Sequence, residues 1–407
     1  MLRTFYADMH VHIGQAGGRP VKISASPHLT IQSILEECAE RKGIHLVGIV
    51  DAVCTPVLEE LEAAVAAGKL YPLGDGGLVD ARGKTTLILG AELEAVAGRG
   101  AAHYLAYFPT LERVRAFHER IAPYVTNMNL SSQRVRLTPA ELLRAAREER
   151  GLFFLAHAFT PHKGYFGQCA DRLADVFGPA ERNELTGIEL GLSADTSMAD
   201  RLPELHAYPY MSNSDAHSTG KIAREYNVLA LHAPTFGEWE KAMLGRSGCH
   251  VVMNCGLDPR LGKYHRTFCR RCAKRVPLSA DRTCSVCGSA VVVGVSDRIV
   301  EIAERVREAP PHASTEEVKG PKRPPYRHQV PLEFVPGLGP VGMRKLLAHF
   351  GSEMAVLHAA GFDELASVVG ERTAGRIIAA RNGQLRIAHG AGGVYGRVSA
   401  ENDTAEA

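Results

Sequence analysis

Along the N-terminal part of this chain, from Thr4 to about Val251, short apolar runs repeatedly stop at a histidine or a carboxylate. Asp8, His10 and His12 alternate along an expected strand, and side chains two apart on a strand share one face. Asp51 follows the run Leu46 to Val50, Glu92 follows Leu87 to Ala91, and His157 follows Phe153 to Ala156. Asp215 and His217 close the run around Tyr210. The stretches His45 to Val50, Thr85 to Leu89, Leu152 to Leu155 and Gly187 to Leu190 read as strands, and Thr30 to Lys42, Pro139 to Arg150 and Phe236 to Leu244 as amphipathic helices. Thr138-Pro139 starts a helix well, with threonine as cap and proline at the first position. Repeated β-α units predict an α/β fold whose strands end at one common face, where residues distant in sequence converge. Histidine and carboxylate together suit Zn²⁺, Mn²⁺ or Fe²⁺, and so many ligands can hold more than one ion.

A chain of 407 residues, 45% of them hydrophobic, is too long for one ordinary core, so two or three domains are expected. The N-terminus has no apolar stretch or small-residue cleavage site of the signal-peptide kind, and no run is apolar enough to span a membrane. Membrane partners are therefore not expected. Nine cysteines, four of them in paired spacing, fit a reducing compartment with a metal site better than a disulfide framework, and the expected location is the cytoplasm.

The formal charge of +2 hides a basic segment: Arg260, Lys263, Arg266, Arg270, Arg271, Lys274 and Arg275 lie close together. Within it, Cys269-x-x-Cys272 and Cys284-x-x-Cys287 are knuckles spaced to wrap four thiolates around one tetrahedral Zn²⁺. With no open position, that ion would fold the segment and do no chemistry. Arg270 and Arg271 inside the first knuckle suit phosphate contacts. A helix at Asp297 to Glu308 leads to a linker containing Pro310, Pro311, Pro321, Pro324 and Pro325. Then Val335-Pro336-Gly337-Leu338-Gly339-Pro340-Val341-Gly342 precedes a helix, Met343 to Phe350, and resembles the helix-hairpin-helix motif of DNA repair proteins. Gly337 and Gly339 would let backbone N–H groups approach a phosphate, with Lys345 beside them. Leu365 to Gly370 and Ala374 to Arg381 would form a second such unit. The expected domains are 1–255 (catalytic), 256–295 (ribbon), 296–330 (helix and linker), 331–390 (helical, DNA-binding) and 391–407, which has too little apolar surface to fold.

Asp8-Met9-His10-Val11-His12, Gly90-Ala91-Glu92, Ala156-His157-Ala158 and Ser214-Asp215-Ala216-His217 resemble the ordered motifs of the polymerase-and-histidinol-phosphatase (PHP) superfamily. The resemblance implies a distorted β/α barrel of PHP type with two or three divalent ions, Zn²⁺, Mn²⁺ or Mg²⁺, and hydrolysis of phosphoesters. It implies catalytic roles for Asp8, His10, His12, Asp51, Glu92, His157, Asp215 and His217, all but Asp8 as metal ligands together with His103. One departure is that Asp51 is followed by Ala52, where the family often has histidine. Glu189 is expected behind the ligands. The loop after His157, with His162, Lys163, Tyr165 and Phe166, could hold phosphate or stack a base.

The order of PHP-type domain, four-cysteine ribbon and hairpin tail is similar to the endonuclease Q family, over nearly the whole chain. That resemblance implies DNA as partner, cut on the 5′ side of a deaminated base (uracil, hypoxanthine or xanthine) or an abasic site, with a sliding clamp as a further candidate. Telling a base from its deaminated form calls for unstacking it into a pocket, with Asn127, Asn129, Ser132, Gln133 and Ser193 as polar candidates. The alternatives are a small-molecule phosphatase of the histidinol-phosphate type and a DNA-binding scaffold with a decayed metal site.

Overall fold

In a computed structural model describing residues 1–308, 323–390 and 392–399, one curled sheet of twelve strands organises the N-terminal region. Its main strands are β1 (Arg3–Val11), β2 (Leu46–Ile49), β3 (Thr86–Ala97), β4 (Gly100–Phe108), β5 (Leu152–Leu155), β6 (Gly187–Glu189), β7 (Tyr210–Met211), β8 (Tyr226–Leu231), β9 (His250–Gly256) and β10 (Tyr326–His328). They lie in the order β7-β6-β5-β4-β3-β2-β1-β8-β9-β10. Strands β1, β2 and β3 pair in parallel, as do β5, β6 and β7, while β4 joins the two sets by antiparallel pairing. The parallel strands β2, β5 and β6 are buried throughout, as continuous apolar runs covered on both faces must be. Past β7 the chain returns to the first strand: the His12 N–H donates to Ala216 O at 3.0 Å and the Ala216 N–H to His10 O at 3.1 Å. The sheet thus curls into the distorted barrel expected from the pattern of runs.

Along β1 the odd-numbered Phe5, Ala7 and Met9 join an apolar cluster with Trp239, Phe154 and Tyr107, which closes the floor of the barrel. The even-numbered Asp8, His10 and His12 are left on the opposite face. Helices α1 (Ile31–Glu36), α2 (Pro139–Glu148) and α3 (Phe236–Met243) pack outside, and Thr138 caps α2 with Glu141 returning a hydrogen bond to it.

The four-cysteine segment follows, with Phe268–Cys269 paired to Lys274–Arg275. Helix α4 (Val295–Glu308) ties it to the barrel through the buried Arg298, whose guanidinium donates to Phe166 O at 2.9 Å and pairs with Asp171 and Glu301. Pro310, Pro311 and Pro321 of the expected linker lie outside the described residues. Tyr326–His328, assigned to that linker by composition, instead extends the barrel sheet as β10, pairing with Asn254 to Gly256. A three-residue strand on a sheet edge has too little periodicity to be read from sequence.

The C-terminal region packs four helices, α5 (Pro340–Phe350), α6 (Glu353–His358), α7 (Phe362–Val369) and α8 (Glu371–Arg381); α5 follows the first glycine-rich turn, and α7 and α8 occupy the second expected stretch. It is docked on the barrel by Glu353, which meets Lys42 at 3.0 Å and Arg41 at 3.1 Å, and by Tyr226, whose hydroxyl lies 2.7 Å from His358 Nε2. After it, β11 (Arg386–Ala388) and β12 (Arg397–Ser399) form a hairpin. The expectation of an unfolded end from Ala391 therefore fails for residues 392–399; residues 400–407 lie outside the described ones. No helix among the described residues is long and apolar enough to cross a membrane.

Candidate metal centre

The carboxyl ends of the barrel strands bring most of the expected ligands to one place. His10, His12 and Glu92 present donor atoms within 4.8 Å of one another, as do His12, Asp215 and His217, and Glu92, His103 and His157. The three groups share His12 and Glu92, so they form one continuous cluster. His10 Nε2 lies 3.6 Å from Glu92 and 3.5 Å from Asp215, and His12 Nε2 lies 3.5 Å and 3.4 Å from the same two carboxylates. Neither Nε2 has a hydrogen-bond partner, though both histidines are completely buried, and His157 Nδ1 is likewise unpartnered. Buried polar atoms are normally satisfied. The unpaired Nε2 atoms of His10 and His12, each facing Glu92 and Asp215, fit divalent cations, as does the donor chemistry.

What holds these rings is equally visible. His10 Nδ1 faces Glu189 at 3.0 and 3.1 Å, and His12 Nδ1 faces Asp51 at 3.2 and 3.1 Å, so each ring is turned with its Nε2 toward the cluster. Asp51 also accepts the Ile13 N–H at 2.6 Å and the Ser131 hydroxyl, and it is absent from the converging groups. Its geometry is that of an orienting carboxylate, where the sequence suggested a ligand. Asp8 sits deeper still, accepting N–H groups from Ser214 at 3.0 Å and Ala223 at 2.8 Å. It pins the loop that carries Asp215 to β1 and is in none of the converging groups. His103 Nδ1 lies 2.8 Å from Glu92, at the edge of the cluster.

The local backbone is strained where the donors sit. His157 has φ of 28°, Asp215 of 46° and Ser132 of 52°, in the left-handed region that non-glycine residues avoid. Electrostatics follow from crowding: burial disfavours its charge, yet Glu189, Asp215 and Glu92 raise the His10 imidazole to about 10. Burial also opposes charge on Asp215, but His10 and His12 hold it well below the usual carboxylate range. This surplus of carboxylate is what cations neutralise.

The cluster forms the floor of a cleft of about 580 Å³. Lys22, Lys163, Lys221, Arg224 and Lys263 line it, with Tyr264 and Tyr395. Of these the sequence reading singled out Lys163 alone for a site role. Lys22, 3.2 Å from Glu92, comes from a loop with no motif, and Arg224, whose Nε donates to Ser214 O at 2.7 Å, lies just past one. Of the polar candidates for reading a base, Ser193 lines the cleft; Ser132 is instead hydrogen-bonded to Glu92, Asn127 to Asn129, and Gln133 to Ser131 O. Tyr165 and Phe166 are buried in the core and present no ring for stacking, whereas His162 lines the cleft with its Nε2 3.4 Å from Arg270. Arg271 and Lys345 are exposed.

Away from the cleft floor, Cys269, Cys272, Cys284 and Cys287 bring four sulfurs within 4.8 Å of one another. Gly337 takes φ of +83°, and Gly339 stands at the N-terminus of α5.

No family model matches the chain. It is 42% identical over 402 residues to an uncharacterized protein, YqxK, of Bacillus subtilis, covering 98% of this chain and all of that one. The crystal structure of the lesion-specific endonuclease PfuEndoQ from Pyrococcus furiosus superposes with a TM-score of 0.82 at 34% identity, over 98% of this chain and 96% of that one. A structure of endonuclease Q in complex with a 27-mer duplex substrate carrying an abasic lesion at the active site matches equally, at 34% identity and a TM-score of 0.82 over 98% of both chains.

Proposed function

Because the chain belongs to the endonuclease Q family, we propose that this metal-dependent, lesion-specific DNA endonuclease cuts on the 5′ side of a deaminated base, uracil or hypoxanthine, or of an abasic site. The observation that carries the reading is the pair of buried, unpartnered Nε2 atoms of His10 and His12 facing Glu92 and Asp215, two carboxylates that line a cation-bearing cleft.

Within this reading His10, His12, Glu92, His103, His157, Asp215 and His217 hold the ions, and Asp51 and Glu189 turn His12 and His10. Bound divalent ions supply a water acidified to near neutral pH and neutralise charge on the phosphate. The chain's own contribution is placement. Lys22, hydrogen-bonded to Glu92, fixes that carboxylate and adds positive charge where the scissile phosphate must lie. Arg224 lines the path of the DNA backbone together with Lys221 and Lys163, each of the latter paired with a carboxylate, and Arg270 extends the path onto the ribbon. The damaged nucleotide would be unstacked toward Ser193 and the 191–193 turn, which line the same cleft.

The four cysteines would hold a structural zinc, and Gly337, Gly339 and Lys345 would meet the duplex beyond the lesion. Residues 1–255, 256–295 and 331–390 serve as the catalytic, ribbon and DNA-binding units. The free thiols fit a cytoplasmic setting. A sliding clamp remains a candidate partner, to be sought by co-elution.

End-labelled duplex carrying one deoxyinosine, deoxyuridine or abasic site, beside undamaged duplex, tests the proposal with Mg²⁺, Mn²⁺ or Zn²⁺ added. A nick 5′ of the lesion, absent with Asp215→Ala, is the expected result. Cleavage of damaged and undamaged strands alike, or release of phosphate from small monoesters only, would refute it.

A further inference from the structure

Tyr395 reaches the metal cleft from a part of the chain whose composition reads as unstructured. The hairpin that carries it is laid on the segment Arg260 to Lys263: the Gly390 N–H donates to Arg260 O at 2.7 Å, Gly396 to Leu261 O at 2.9 Å and Gly393 to Lys263 O at 3.2 Å. The approach is at backbone contact, since a Cβ on Gly390 would stand 2.5 Å from Gly262 O and one on Gly396 3.1 Å from Leu261 Cα. Glycines here replace the apolar side chains that usually fix a strap.

Seated this way, the Tyr395 hydroxyl accepts a hydrogen bond from Arg224 Nη1 at 2.8 Å, and Lys263 Nζ lies 4.5 Å from the ring centroid. The same arginine donates through Nη2 to Asp215 O at 3.2 Å. Other cations of the cleft are matched by carboxylates: Lys22 by Glu92, Lys163 by Glu94 and Lys221 by Glu333. Arg224 and Lys263 form no ion pair among the described residues. A tyrosine holds a cation by its π face or hydroxyl without cancelling its charge, so these two remain available to an anion.

We propose that the C-terminal hairpin is part of the substrate site, with Tyr395 a positioning residue that holds Arg224 and Lys263 as a two-cation clamp on a DNA phosphate beside the metal centre. The inference rests on the endonuclease reading. It makes the last described residues of the chain a wall of the cleft.

The test uses the full-length protein, with Tyr395→Ala, Tyr395→Phe, Lys263→Ala and the Tyr395→Ala/Lys263→Ala pair, nicking a duplex with one deoxyinosine over a range of salt. Wild-type nicking comes first, since its absence would overturn the endonuclease reading itself and this one with it. With nicking present, Tyr395→Ala should raise KM about tenfold, leave kcat within about twofold, and flatten the slope of log affinity on log salt by ~0.9 for each phosphate that is no longer neutralised. Tyr395→Phe, which keeps the ring against Lys263, should raise KM about threefold, and the double variant should fall short of the product of the singles because both act on one phosphate. Unchanged KM and salt slope in Tyr395→Ala would overturn the clamp. So would a loss confined to kcat with lowered metal content, which would mark Tyr395 as a prop for the Asp215 loop.

Discussion

His10 and His12 reach their cluster from a nine-residue strand with Glu189 and Asp51 braced behind them, whereas Cys269, Cys272, Cys284 and Cys287 hang from two short knuckles whose apolar company is Val276 and Val291. The first cluster is built into a large apolar core made by the barrel itself. In the second, four thiols are themselves most of the core, and a bound ion would be what folds it. Metal sites in one chain can thus be an addition to a fold or the reason for it. The same substitution, removal of one ligand, should therefore have opposite consequences at the two places.

At the barrel, Asp215→Ala should lower kcat/KM on the order of 10³-fold, because several kcal/mol of charge stabilisation depend on its ions. The unfolding temperature should stay close to wild type, because the Asp215 side chain is one-third exposed and stands among other carboxylates of the cluster. Nicking kinetics and a thermal melt on the same sample check both halves; a collapse of the melt would show that ligands and fold are not separable even here.

Asp51→Ala should act at one remove. His12 keeps its place just past β1 but loses the carboxylate that fixes its Nδ1, and such losses typically cost ~10–100-fold in metal affinity or activity. Asp51→Asn, which can still accept the Ile13 N–H, should fall between this and wild type. A metal titration that found the variant's affinity unchanged while activity fell would favour direct contact of Asp51 with substrate.

The sequence made the converging residues legible because most of them end an apolar run, and a strand end in a β/α barrel has one destination. It could not show which ring nitrogen each carboxylate would meet, so Asp8 and Asp51 looked like Glu92 and Asp215. That distinction arises only when β1, β2 and the 212–223 loop close on one another. Lys22 and Arg224 escaped for a different reason: lysines and arginines in loops are common, and their value here comes from the cleft they share. Tyr395 ran against a sound rule. A glycine-rich end cannot fold on apolar burial, but it can be seated by backbone hydrogen bonds on a surface that the rest of the chain has already made.

Cys272→Ser shows the other side of the comparison. The protein should lose one equivalent of bound zinc and the ordered ribbon while keeping the barrel's melting transition. Affinity for lesion DNA should fall by about tenfold as Arg270 and Arg271 lose a fixed position, since about 1.4 kcal/mol is one decade. Zinc content, a melt and a binding isotherm together decide it. If the barrel melts with the ribbon, then α4 and Arg298 couple the two more tightly than the small ribbon core suggests.

The smallest effect separates fold from DNA contact within a single turn. Gly337 has φ of +83°, and an added Cβ would come within 2.7 Å of Arg376 Nη1, whose own hydrogen bond to Pro336 O at 3.0 Å ties α8 to the first hairpin. Gly337→Ala should thus destabilise the helical domain by ~1–2 kcal/mol, the usual penalty for an L-residue in left-handed backbone. Gly339, two residues on, has φ of −80° and nothing within 4 Å of its would-be Cβ. Gly339→Ala should leave stability unaltered, and any change in DNA binding must then come from a methyl group standing where a phosphate approaches the first turn of α5. A loss of about threefold in affinity, equal for damaged and undamaged duplex, is expected for a backbone contact that positions without reading sequence. If Gly339→Ala binds both duplexes as wild type does while Gly337→Ala weakens them, the hairpin serves the DNA only by holding its helices together.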